Sequence, residues 1–175
     1  MQSSNLKIQN DNIKSKISGE RIIILGIQTA EQPNSICLVS KDKGANIQRI
    51  IEDQRHSSEQ TAKNLKVLLT KLNLSVKDID AIAVCIGPGS YTGLRGGIAF
   101  AKAFCQFSET KLIGVSAFEA LGFKAKASAS YLAEEIHVLF DAGRERVFVN
   151  LSGANKVMSI HSFIEKIKSE TGFPG

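Results

Sequence analysis

At 175 residues the chain has room for one ordinary domain or two small lobes, and its apolar fraction of 43% is that of a globular protein. No apolar run reaches the ~18 residues of a spanning helix, which excludes a helical membrane protein. A net charge of +5, from 22 basic and 17 acidic residues, comes without the dense Lys/Arg block of an autonomous nucleic-acid binder, so it reads first as a solvated surface.

Met1 to Glu20 is polar, with isolated isoleucines, no secretory apolar core and no clear amphipathic period; it is expected to be a disordered extension. Arg21 to Gln28 is a near-continuous apolar strand, expected to be buried on both faces. Thr29 to Ser35 is a turn, Ser35 to Ser40 a second strand, Lys41 to Gly44 a hairpin turn and Ala45 to Glu52 a third strand. Ser57 and Gln60 have capping-box spacing ahead of a helix striped by Leu65, Leu68, Leu69 and Leu72. Ala81 to Ile86 is a further buried strand. It leads through a glycine-rich turn to a helix over Leu94 to Phe107. Lys111 to Val115 is a short strand, and Ser116 caps a helix from Ala117 to about Lys126. Ile136 to Phe140 and Arg146 to Leu151 form a hairpin around Asp141-Ala142-Gly143. Ser159 or Ser162 caps a last helix carrying Phe163, Ile164 and Ile167, and Thr171 to Gly175 is loop. The order β-β-β-α-β-α-β-α, then hairpin and helix, predicts a mixed sheet with helices on it, as in a ribonuclease-H-like half of the actin/hexokinase architecture. The first lobe is expected at 21–115 and a partial second lobe at 116–175.

The stretch Ala81 to Phe107 holds the strongest functional signal. Gly87, Gly89, Gly93, Gly96 and Gly97 fall between a strand and a helix, where free N–H groups and a helix dipole suit an anion. Gly87, Gly89, Ser90, Thr92 and Gly93 are the candidate anion loop. The competing reading is a tight turn whose glycines let the helix pack close to the sheet. The loop is neither a dinucleotide fingerprint, a Walker loop nor a Gly-x-Ser-x-Gly elbow. The helix has two apolar sides. Leu94, Ile98, Ala101 and Cys105 form one; Gly96, Phe100, Ala103 and Phe107 form the other, whose small residues would admit a second helix. Leu65 and Leu69 of the preceding helix are expected to join that partner surface.

His56, His137 and His161 are far apart and form no His-x-x-x-His pair, so no metal site is expected. Cys37, Cys85 and Cys105 have no Cys-x-x-Cys spacing and read as reduced core residues of an intracellular protein. Asp141 and Arg144 follow a strand end, where either a binding role or a plain hairpin turn is possible.

Gly87-Pro88-Gly89-Ser90-Tyr91-Thr92-Gly93-Leu94-Arg95 resembles the signature of the TsaB (YeaZ) family, with Ile98 to Ala103 matching its glycine- and alanine-rich helix. Ile24 to Ala30, His56-Ser57, Gly114-Val115-Ser116 and Asp141-Ala142-Gly143-Arg144 with Val147-Phe148 resemble further family elements, in the family's order. The resemblance implies a two-lobed actin/hexokinase (ASKHA) fold. It also implies a non-catalytic scaffold of the cytoplasmic complex that makes N6-threonylcarbamoyladenosine in tRNA. Its partners would be a TsaD-like transferase and a TsaE-like ATPase, with ATP and metal on those subunits and none here. The chain would be a homodimer when alone and would meet tRNA only indirectly. Gln28 stands where the family has Asp, a departure that bears on any nucleotide- or metal-linked role of that turn, and the chain stops within the second lobe. The alternative is an actin-like ATP-binding enzyme using the glycine-rich loop. An older glycopeptidase reading has no residue support.

Overall fold

The computed structural model describes residues 22–40, 46–51, 57–108, 110–128, 136–151 and 153–171. The expectations for the N-terminal extension, the 41–44 turn, His56 and the loop from residue 172 onward lie outside the described residues. The chain divides into two compact units, Met1–Ile86 with Ser90–Val115, and Gly87–Gly89 with Ser116–Gly175.

The first unit is a five-stranded mixed sheet in the order β3-β2-β1-β4-β5. Strands β1 (Ile23–Gln28), β2 (Asn34–Ser40) and β3 (Asn46–Ile51) form an antiparallel meander. Strands β4 (Ala81–Cys85) and β5 (Lys111–Val115) then add in parallel beside β1. Parallel neighbours need crossovers. Helix α1 (Ser57–Leu72) precedes β4 and helix α2 (Tyr91–Ser108) links β4 to β5. Register aligns Leu38, Leu25, Ile82 and Leu112 across four strands. Leu65, Leu68 and Leu69 of α1 and Ala101 of α2 close over that row. Each fully buried Leu or Ile contributes about 1.5–3 kcal/mol.

Strand β1 departs from its expected burial on both faces. Ile23, Leu25 and Ile27 are buried, whereas Ile24, Gly26 and Gln28 are half-buried, because the α1–α2 core covers one side of the sheet. Helix α2 starts at Tyr91 and not at Leu94, so Gly93 is helical along with Gly96 and Gly97. Among the described residues no helix is long and apolar enough to cross a membrane.

The second unit has a three-stranded antiparallel sheet, β6 (Leu139–Asp141), β7 (Arg146–Leu151) and β8 (Ala154–Ser159). Helix α3 (Ala117–Ser128) sets Phe118 edge-on to Phe140, with ring centroids 5.1 Å apart. Helix α4 (Ile160–Thr171) buries Phe163 with Val147 and Val149. Ser159 is its cap, its Oγ accepting from the Ser162 N–H at 3.0 Å. Ile136 to Val138 stand outside the strand expected for them, and β8 was not expected. Its residues are mostly exposed on both faces, so it carries no alternating apolar pattern. The mixed α/β order is that of the ribonuclease-H-like, actin/hexokinase fold.

Candidate functional site

The signature loop is built from backbone constraints. Gly87 and Gly89 take φ of 99° and 152°, and the Gly87 carbonyl accepts from the Ala117 N–H at 2.9 Å. Ser90 is the N-cap of α2. Its carbonyl takes the first helical bond from Leu94 N–H at 2.8 Å, and its Oγ accepts from the Gly93 N–H at 3.3 Å. The Ser90 N–H itself donates to the Ala30 carbonyl at 2.6 Å. Two donors counted for an anion, Ser90 and Gly93, therefore already have protein partners.

The helical glycines have a packing task. A Cβ at Gly93 would lie 1.8 Å from the Thr29 carbonyl oxygen, and one at Gly97 would lie 2.1 Å from Thr29 Oγ1. Thr29 is buried, and its hydroxyl donates to the Gly93 carbonyl at 2.7 Å. The first turns of α2 thus rest directly on the turn after β1. Sequence reading did not single out Thr29; its signal is a small polar residue ending a core strand opposite two glycines four apart. In the same turn, Gln28 Oε1 accepts from the Glu31 N–H at 3.2 Å, a local turn contact.

The expected partner surface divides. Leu65 and Leu69 are 5% and 7% exposed and belong to the core, reaching the surface only as lining of the groove between α1 and α2. Their spacing with Leu68 and Leu72 put them on the stripe facing the sheet. Gly96 and Phe100 are half-buried, and Phe100 packs against the core. Ala103 is exposed, and Phe107 is 88% exposed at the end of α2. Phe100 and Phe104, with centroids 6.2 Å apart, line an open groove of about 440 Å³ between α1 and α2, with Leu65, Leu69 and Lys66 across from them. Phe104 was not among the predicted surface residues, although its place one turn after Phe100 could have marked it.

Two of the remaining polar candidates, Asp141 and His137, make local structural contacts. Asp141 Oδ1 accepts from the Gly143 N–H at 2.7 Å, which makes the Asp-Ala-Gly stretch a hairpin turn. His137 stacks edge-on to Phe163. Among the described residues, no three of His, Cys, Asp and Glu converge as metal ligands do. Burial pushes the Cys37 thiol up, against an opposing backbone hydrogen bond from Gly26, and burial likewise raises Cys105.

Comparison with known proteins adds a family and a fold. The model of the family described as TsaD, tRNA N6-adenosine threonylcarbamoyltransferase, matches residues 49–167. The tRNA threonylcarbamoyladenosine biosynthesis protein TsaB of Bacillus subtilis is 29% identical over 128 residues, 73% of this chain and 54% of that protein. TsaB of Escherichia coli is 34% identical over 93 residues, 53% of this chain and 39% of that protein. The chain thus spans about half, or less, of the curated relatives it matches. The solved structure of YeaZ from Pseudomonas aeruginosa superposes with a TM-score of 0.62 at 20% identity, covering 79% of this chain and 65% of that one. A second Pseudomonas aeruginosa structure, described as similar to peptidase YEAZ, gives 0.66 at 20% identity over 79% of this chain and 64% of that one.

Proposed function

The chain belongs to the TsaB/YeaZ group of the family described as TsaD, tRNA N6-adenosine threonylcarbamoyltransferase, and from that premise we propose that it is a non-catalytic subunit of the machinery that makes threonylcarbamoyladenosine in tRNA. Its task is to dock a TsaD-like transferase through the exposed side of α1 and α2. A TsaE-like ATPase joins the assembly, ATP and metal stay on those subunits, and tRNA is met only through them. Free of its partner, the same face pairs two copies of the chain.

One observation carries this reading. Helix α2 puts its small, exposed Ala103 and the 88% exposed Phe107 beside an open apolar groove, immediately after the family's signature loop. A large exposed aromatic beside an apolar groove marks an interaction surface. Support for the alternative, ATP binding at the loop, is weaker, since the Ser90 and Gly93 amides are turned to protein acceptors.

Co-purification with the TsaD-like protein of the same source tests the proposal. A stable complex that restores threonylcarbamoyladenosine to tRNA in a strain lacking its own TsaB is expected. Micromolar ATP binding by the isolated chain, without complex formation, would replace it with the enzyme reading.

A further inference from the structure

Helices α1 and α2 contain five cations, Lys63, Lys66, Lys71, Arg95 and Lys102, and one carboxylate, Glu59. Their excess of four positive charges is most of the +5 carried by the whole chain. All five cations are exposed, and Lys66 lines the groove itself, beside Leu65 and Leu69 and across from Phe100 and Phe104. Glu59 is spent locally on Lys63, at 2.6 Å, and Arg95 lies over the Tyr91 ring, 5.4 Å from its centroid.

We propose that this groove selects an acidic helix, one whose apolar ridge is bordered by carboxylates, in preference to a second copy of the chain. The inference rests on the reading above that the α1–α2 face docks a protein. A two-fold contact sets a patch against itself. Here that would bring two net-positive helix pairs, each with Lys66 at its groove, into mutual repulsion. A partner with carboxylates along its ridge replaces that repulsion with attraction and still fills the apolar floor. A phosphodiester backbone would satisfy the lysines but leave the floor and Phe107 uncovered, so the geometry favours a protein helix over RNA.

Opposite salt dependences follow, because added salt screens exposed charges. Sedimentation of the full chain alone, at about 50 and about 500 mM salt, should show self-association that strengthens as salt rises. Titration into the transferase subunit should show the reverse, with affinity falling about tenfold or more over the same range. Lys66→Glu should weaken that complex about tenfold at low salt and flatten its salt dependence, while Lys66→Met gives an intermediate loss. Mixing wild type with Lys66→Glu at low salt should yield mixed dimers in excess over either homodimer. A transferase complex indifferent to both salt and Lys66→Glu would overturn the charge inference while leaving the docking reading intact. If the transferase does not bind, the docking reading falls, and the mixing experiment decides the charge inference by itself: no excess of mixed dimers refutes it. Tight binding of a single-stranded RNA oligonucleotide that Lys66→Glu abolishes would overturn it in favour of nucleic acid.

Discussion

At the residue scale, Thr29 and the two glycines above it make predictions that separate kinds of close contact. At Gly97 the obstacle to a Cβ is Thr29 Oγ1, with Thr29 Cβ at 3.4 Å, so removing the hydroxyl makes room. Gly97→Ala should cost about 1–3 kcal/mol, as overpacking does. In a Thr29→Ala background the same change should cost distinctly less, and a double-mutant cycle by denaturant unfolding measures the difference. At Gly93 the obstacle is the Thr29 carbonyl oxygen, which no side-chain change removes. Gly93→Ala should therefore be destabilising in both backgrounds; rescue by Thr29→Ala would contradict the geometry. Cys37 gives a pH prediction. Its folded-state thiol is raised, chiefly by burial, so it holds its proton where the unfolded chain has lost one. The contribution is intact below the unfolded thiol value and is lost as pH rises through the folded one. Thermal melts on the alkaline side of pH 9 should fall more steeply for wild type than for Cys37→Ala.

At the scale of elements, the β6–β7 hairpin is held in an unfavourable turn. Arg144 and Glu145 take φ of 53° and 58°, and the Arg146 N–H closes on the Gly143 carbonyl at 3.2 Å. Two left-handed residues in succession suit Asn-Gly, and a residue with a Cβ costs about 1–2 kcal/mol there. Replacing Glu145 by Gly keeps its carbonyl, which accepts from the Ile160 N–H at 2.9 Å. After the entropy cost of glycine, Glu145→Gly should stabilise by roughly 0.5–1 kcal/mol, read as a higher melting temperature. A lower one would mean that the Glu145 side chain has a role that outweighs the strain. The sequence announced a hairpin here through Asp141-Ala142-Gly143, but not that Arg144 and Glu145 would take left-handed conformations. Elements with apolar periodicity were legible: α1 from its leucines, and β4 and β5 from short apolar runs ended by turns. Strand β8 was not, since its ladder to β7 rests on backbone pairing, with polar side chains on both faces. The start of α2 was placed three residues late because Gly93 weighs against a helix locally. Its close fit to Thr29, 64 residues away, overrides that weight. Of the predicted face of α2, Ala103 and Phe107 are exposed, whereas Gly96 and Phe100 are half-buried. The inward turn of Leu65 and Leu69 needed knowledge of which stripe meets the sheet.

For the molecule as a whole, the question is whether the first unit is complete alone or presents a face meant to be covered. Its core closes without Ala103 and Phe107, since Ala101 and the leucines of α1 seal the sheet. A charge at Ala103 should therefore leave folding alone. Ala is the best helix former, and Glu costs only a few tenths of a kcal/mol at an exposed helical position. Ala103→Glu should melt within about 0.5 kcal/mol of wild type and keep its circular dichroism, as surface changes usually do. In a docked complex the same carboxylate would be buried against a close-approaching helix, where an unpaired charge costs about 3–5 kcal/mol. Binding to the transferase subunit should then fall by two orders of magnitude or more, at about 1.4 kcal/mol per decade. Ala103→Ser, small and neutral, should bind nearly as wild type does, which separates charge burial from loss of contact. A partner whose lysine met the introduced carboxylate could mask the effect, but the basic helices of this chain call for an acidic partner, so Ala103→Glu and Lys66→Glu should fail together. A folded Ala103→Glu protein that binds the transferase at full strength would remove α2 from the interface.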